Sequence, residues 1–112
     1  MTEQHRLVPG KTTLAQLCQV YRDDSAVIID PYCRERVDAA AAVVAAAAAG
    51  DVAVYGINTG FGKLASTRIP AAQTSQLQRN LILSHCCGVG DSLPRPVVRL
   101  IMTLKMLSLG RG

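Results

Sequence analysis

The chain has 112 residues, which is enough for one domain, and 49% of them are hydrophobic while only 18% are charged. Twelve Lys and Arg residues against eight Asp and Glu residues give a net charge of +4, but they are spread out and form no basic run of the kind that binds nucleic acid. The longest apolar run, residues 39–49, is mostly alanine and too short to cross a bilayer. We therefore expect no nucleic-acid partner and no membrane partner.

The cysteines and the first residues indicate a reducing compartment. The chain has four cysteines, which lack the spacing of a disulfide framework or a zinc site, and two of them, Cys86 and Cys87, are adjacent. Residues 1–12 are polar and contain Pro9 and Gly10, unlike a secretory leader. We predict reduced thiols, a cytoplasmic protein and no metal site.

The first part of the chain predicts a flexible terminus followed by a helix. Residues 1–6 should be flexible, and Leu7-Val8 fits a short strand. A helix is predicted from a cap at Thr12 or Thr13 to about Arg22, because apolar residues recur there at spacings of three and four. Its apolar face would consist of Leu14, Leu17, Cys18 and Tyr21.

A second, longer helix is predicted to end before the middle of the chain. Residues 26–29 fit either a brief strand or an extended linker. Asp30-Pro31 then predicts a helix start, because the Asp oxygen can accept from a free amide and proline's fixed φ suits the first helical position. The helix should run to Ala49 and end at Gly50.

Residues 52–63 form the most informative stretch. A β-branched run ends at Tyr55, and the glycines that follow allow backbone conformations that a Cβ disfavours. Beyond this loop, Pro70 predicts a helix that closes at Gly88, and Pro94 predicts a last helix to about residue 109. That helix is apolar on most faces, so it needs neighbours on most faces. We predict a mainly α fold with one or two very short strands, as a single domain over residues 1–112 that is a fragment of a larger chain.

The glycine-rich stretch does not fit the phosphate-binding loops. A Walker A loop ending at Gly62-Lys63 would need Gly and Ser or Thr where Ile57 and Leu64 stand. Residues 60–65 match the dinucleotide pattern G-x-G-x-x-A, but Pro70 follows too soon for that motif to open a helix, and no acidic residue lies about 20 positions further on. The stretch therefore predicts a shaped loop with another use.

Two side chains near this loop have catalytic chemistry. A phenol at the edge of a glycine loop, Tyr55, can act as a general base or acid if donors or positive charge help it to ionise; alternatively it packs at a strand end. His85 follows near the C-terminal end of its helix, where it is either a functional imidazole or a core histidine with one satisfied nitrogen. The residue pattern leaves both alternatives open.

Five segments together closely resemble the N-terminal part of the histidine ammonia-lyases, within the aromatic amino acid lyase family. They are residues 55–62, 64–69, 77–81, 83–85 and 99–102. The resemblance extends over the chain from Leu7 onward. A tyrosine loop followed by Ser84-His85 at this separation is far more specific than the glycine pattern alone.

The resemblance implies a mostly helical homotetrameric enzyme that removes ammonia from L-histidine to give trans-urocanate. In this family a methylidene-imidazolone electrophile (MIO), made from an internal Ala-Ser-Gly, engages the substrate while a base removes a β-proton. The resemblance makes Tyr55 the catalytic tyrosine and His85 a substrate-binding residue for the imidazole. Residues that would shape the loop are Gly56, Gly60, Phe61 and Gly62.

The chain departs from the family in one respect that bears on activity. No Ala-Ser-Gly occurs among its residues, and the nearest triplet, Ala65-Ser66-Thr67, ends in threonine. We therefore expect the methylidene-imidazolone to come from residues absent from this chain, and the chain alone to be inactive. The alternative is a small helical module, derived from this family without catalysis, that binds a partner through its apolar last helix.

Overall fold

The computed structural model describes residues 4–112. In chain order the elements are β1 (Gln4–Leu7), α1 (Leu14–Arg22), β2 (Ala26–Ile29), α2 (Arg34–Ala49), α3 (Thr74–His85) and α4 (Arg95–Leu109). Short 3-10 helices lie at Pro31–Cys33, Gly62–Leu64 and Ala71–Gln73. The predicted mainly α fold with very short strands is confirmed.

The chain divides into two compact units, and the division falls within α2. The first unit contains residues 4–40 and 91–112 of the described chain, and the second contains residues 41–90. The single-domain interpretation stays a prediction.

A small parallel sheet stands at the start of the first unit. β1 pairs with β2 in parallel, with Gln4 opposite Ala26 and Leu7 opposite Ile29. The flexible terminus expected at residues 1–6 is therefore wrong for residues 4–6, whose backbone is held by this ladder; residues 1–3 lie outside the described residues. Of the two alternatives for residues 26–29, the strand is correct.

Helix α1 begins where its capping residues predict. The Thr13 hydroxyl accepts from the amide of Gln16 at 3.3 Å, and the Gln16 side chain accepts from the amide of Thr13 at 2.9 Å. This capping box satisfies amides that the first turn leaves without helical partners.

The face that α1 buries differs from the predicted one. Val20 is fully buried with Leu7 and Leu107, and Leu17 packs against this core, whereas Leu14 is 76% exposed. Because α1 packs on the sheet and on α4, the buried face is set by these neighbours rather than by the widest apolar stripe. The predicted face lines an open groove of about 380 Å³, which Leu100 and Leu104 of α4 also line.

Helix α4 buries one polar residue and one apolar residue, Thr103 and Leu107, and exposes most of its other apolar side chains. Thr103 is buried, and the Arg99 guanidinium donates to the backbone carbonyls of Asp23 (3.3 Å) and Ser25 just beyond α1. Arg95 forms a bidentate pair with Asp24, in which Nε donates to Oδ1 at 3.1 Å and Nη2 donates to Oδ2 at 2.9 Å. The predicted bounds of α4 are confirmed.

Helices α2 and α3 start with a tight turn. The Asp30 carboxylate accepts from the amide of Tyr32 at 2.9 Å, so the predicted cap is present, but the first turn at Pro31–Cys33 is a 3-10 helix. Pro70 likewise precedes a 3-10 turn that continues into α3.

Within residues 4–112, no helix is both long and apolar enough to cross a membrane.

Candidate active site

The glycine-rich loop is organised around the side chain of Asn58. This side chain has no exposed surface, and its Oδ1 accepts from the amide of Val54 at 2.8 Å. Its Nδ2 donates to the carbonyls of Val52 at 3.0 Å and Ala47 at 3.2 Å. One amide group thus bonds the start of the loop to itself and to the last turn of α2.

Backbone hydrogen bonds close the base of the loop. Thr59 and Arg68 form an antiparallel bridge, and the amide of Ile69 donates to the carbonyl of Asn58 at 2.7 Å. The Arg68 guanidinium donates to the carbonyl of Gly50 at 3.0 Å and pairs with Asp51 at 2.9 Å. The C-terminal end of the loop is therefore bonded to the residues that directly follow α2.

The β-branched run before Tyr55 does not form a strand. Its backbone is used by a turn instead, because the Val54 carbonyl accepts from the amides of Ile57 at 3.1 Å and Asn58 at 3.2 Å. The alternative in which Tyr55 packs at a strand end is therefore wrong. Tyr55 opens this turn and faces solvent.

The three glycines of the loop are needed for different reasons. Gly56 and Gly62 have φ values of +79° and +58°, a region that favours glycine. Gly60 is buried, and a Cβ there would lie 2.5 Å from the Leu64 Cβ, closer than side chains can approach. These constraints fit the predicted loop-shaping role of the glycines, which stays a prediction.

The Tyr55 side chain packs on the loop and leaves its hydroxyl open. Its ring is tilted against that of Phe61, with centroids 5.1 Å apart. The residue is 61% exposed, and no hydrogen bond between described residues involves its hydroxyl. The phenol is thus oriented by packing and available to a ligand.

His85, the last residue of α3, is exposed rather than buried in a core. Its Nδ1 lies 2.7 Å from the Leu81 carbonyl, to which the Ser84 hydroxyl also donates at 3.0 Å. A carbonyl oxygen only accepts, so the Leu81 contact is a hydrogen bond in the tautomer with a proton on Nδ1, which leaves Nε2 as an acceptor; the Ser84 hydroxyl also lies 3.1 Å from Nδ1. The core-histidine alternative is wrong in this structure.

A side chain of α3, the helix that carries His85, bonds the backbone of the tyrosine loop. Gln78 donates from Nε2 to the carbonyl of Gly56 at 3.0 Å, directly after Tyr55 in the chain. No hydrogen bond between described residues joins Tyr55 to His85 themselves. Gln78 precedes His85 by two helical turns, roughly 10 Å along the axis.

The sequence interpretation missed Asn58 and Gln78. A signal for Asn58 existed, because an asparagine within a glycine-rich stretch commonly bonds nearby backbone. Gln78 gave no such signal, since its partner is 22 positions away and becomes a neighbour only in the folded chain.

This chain lacks the Ala-Ser-Gly triplet from which a methylidene-imidazolone would form. The closest triplet ends in Thr67 rather than glycine, and the amide of Thr67 is engaged with the Leu64 carbonyl at 3.0 Å. Tyr55 stays the predicted catalytic residue of this chain, and His85 its predicted substrate-binding residue.

Comparison with known proteins gives the class to which this fold and loop belong. The aromatic amino acid lyase model matches residues 12–112, and the chain is a member of that family.

Two curated relatives narrow the similarity within the family. The chain is 58% identical over its whole length to a histidine ammonia-lyase of Bradyrhizobium diazoefficiens, covering 22% of that protein. It is also 58% identical, over 95% of its length, to a histidine ammonia-lyase of Roseobacter denitrificans, of which 21% is covered. The chain thus spans about a fifth of the length of these relatives.

Proposed function

We propose that this chain is the part of a histidine ammonia-lyase that supplies the tyrosine loop. The reaction would be the removal of ammonia from L-histidine to give trans-urocanate. The observation that carries the proposal is the exposed Tyr55 hydroxyl on a loop fixed by the buried Asn58. The 58% identity to two proteins named for this activity supports it.

Tyr55 would remove the β-proton of the substrate. A phenolate is required for this step, and donors or positive charge must stabilise it. No hydrogen bond between described residues provides that stabilisation, so the remainder of the enzyme would have to supply it. The packing against Phe61 would keep the phenol oxygen directed at one substrate carbon.

His85 would hold the imidazole of the substrate. In the tautomer whose Nδ1 proton is donated to the Leu81 carbonyl, Nε2 can accept from an imidazole N–H. A hydrogen-bonding partner of this kind discriminates against substrates that lack the N–H, since the site would leave a polar group unpaired. This chemistry favours histidine over phenylalanine.

The full active site would need groups beyond this chain. The methylidene-imidazolone would supply the electrophile from residues that this chain lacks, and a homotetramer, as in the family, would assemble the site. A cytoplasmic location is consistent with the four cysteines, all of which are free.

The alternative, a non-catalytic partner-binding module, is favoured by one observation. Ile101, Met102 and Leu104 of α4 are exposed apolar side chains. Under this alternative the whole protein would bind a partner but form no urocanate.

The test is the substitution Tyr55→Phe in the full-length protein that contains this chain. It removes one oxygen and keeps the ring packing, so turnover of L-histidine should fall about 100-fold or more while the protein elutes at its normal size. Tyr32→Phe is the matched control, because Tyr32 is also exposed but lies outside the loop. Turnover of the Tyr55 variant near the wild-type value would remove Tyr55 from the base role.

A further inference from the structure

We propose that Gln78 is a positioning residue, which holds the Tyr55 loop in place on α3 and so fixes the position of the phenol relative to His85. This inference rests on the proposed function. Gln78 itself would touch neither substrate nor electrophile, and would act through the backbone of the loop.

Gln78 forms its hydrogen bond one residue away from Tyr55, the proposed base. Its Nε2 donates at 3.0 Å to the carbonyl of Gly56, the residue directly after Tyr55. The left-handed conformation of Gly56 (φ +79°) sets the direction of the peptide that receives this bond. Only the Gly56 Cα separates that peptide from the Tyr55 carbonyl, so we expect a shift of the peptide to displace the Tyr55 backbone.

The contacts made by Asn58, Arg68 and Phe61 do not reach α3. Asn58 bonds the loop to itself and to α2, and Arg68 bonds it to Gly50 and Asp51. Phe61, on which the Tyr55 ring packs, is itself a loop residue. Among the described residues, the Gln78 bond is the one hydrogen bond between loop residues 51–68 and α3.

The expected consequence is kinetic rather than structural. A single exposed hydrogen bond contributes little to stability, because water replaces it when it is lost. A catalytic group displaced by about 1 Å, by contrast, can lose about 100-fold in rate. Loss of the Gln78 bond should therefore lower kcat while the fold and the substrate contacts of His85 persist.

The chain provides a matched control on the same helix. Gln76 is also exposed, and its Nε2 donates to Asn80 Oδ1 at 2.7 Å within α3. Gln76→Leu removes the same chemical group from α3 without breaking a hydrogen bond to loop residues 51–68. Any general effect of a Gln to Leu change on this helix will appear in both variants.

The experiment is a double-mutant cycle in the full-length protein with L-histidine as substrate. Gln78→Leu should lower kcat by about tenfold or more with KM little changed. Gln76→Leu should leave both values unchanged. In the Tyr55→Phe background, Gln78→Leu should cause no further loss, because the residue whose position it fixes no longer acts.

Two additional variants and one hydrogen-exchange measurement test whether the N–H donor of residue 78 is what holds the loop. Gln78→Lys retains an N–H donor of similar reach and should keep most of kcat, whereas Gln78→Glu places a carboxylate against a carbonyl and should lose it. Hydrogen exchange at the amide of Ile57, which donates to Val54 within the loop, should quicken in Gln78→Leu and not in Gln76→Leu.

The inference is overturned if Gln78→Leu keeps the wild-type kcat, or if its loss of kcat is equal in the wild-type and Tyr55→Phe backgrounds. A Lys variant as impaired as the Leu variant, or unchanged exchange at Ile57, would also overturn it. Failure of the proposed function looks different, since Tyr55→Phe alone would then leave turnover intact or no variant would act on histidine.

Discussion

The two compact units differ in the side chains that they bury, which are apolar apart from Thr103 in the first unit and polar in the second. In the first unit, Leu7, Val20 and Leu107 form a small apolar core between the sheet, α1 and α4. In the second unit, the buried residues of the described chain are Asn58, Thr59 and Gly60. One unit is held by apolar burial, and the other by hydrogen bonds around one amide side chain.

The two kinds of burial stabilise different things. Apolar burial is non-directional, so it stabilises a packed arrangement without fixing individual backbone groups. Buried hydrogen bonds are directional and costly to leave unmade, so they select one loop conformation. Under the proposed function the loop presents Tyr55 to a substrate, and such a loop needs one backbone geometry more than it needs a large core.

The largest effect on stability is expected from the substitution Asn58→Asp, which tests the hydrogen-bonded second unit. The carboxylate has the same shape but cannot donate to Val52 and Ala47, and it places a charge at a fully buried position. We expect a destabilisation of the loop by about 3 kcal/mol. Hydrogen exchange of the Val54 and Ile69 amides is the measurement, with the amides of α1 as internal reference. Unchanged protection of both loop amides would contradict the hydrogen-bonded account of the second unit.

A smaller effect is expected in the first unit from Val20→Ala. The change leaves a cavity beside Leu7 and Leu107 and should lower the free energy of unfolding by about 2 kcal/mol. Leu14→Ala on the same helix is the control, and should change it by less than about 0.5 kcal/mol because Leu14 is exposed. Urea denaturation followed by circular dichroism measures both. Equal effects of the two substitutions would show that Val20 is not the core residue of α1.

Much of the fold is predictable because its signals are local. Thr13, Asp30, Pro70 and Pro94 each mark a helix start through capping chemistry or a fixed φ, and the structure begins helices at these points. Most of the strand at Gln4–Leu7 escaped prediction because its partner, β2, is a distant segment. The buried face of α1 escaped it because the choice of Val20 depends on α4, which lies at the other end of the chain.

The residues of the candidate site also differ in how far the sequence predicts them. Tyr55 and His85 were found because they stand in a motif that can be read along the chain, and their roles stay predictions. Asn58 was missed although its bonds to Val54 and Val52 are local, and Gln78 was missed because its partner lies 22 positions away. Residues that act on substrate leave a local pattern, whereas residues that position them do so through tertiary contacts.

The most direct test of the central claim is the rate of urocanate formation from L-histidine. The full-length protein that contains this chain should convert histidine to urocanate with release of ammonia, and the 112-residue chain alone should form none. Absence of turnover by the full-length protein, or turnover by the 112-residue chain alone, would contradict the account.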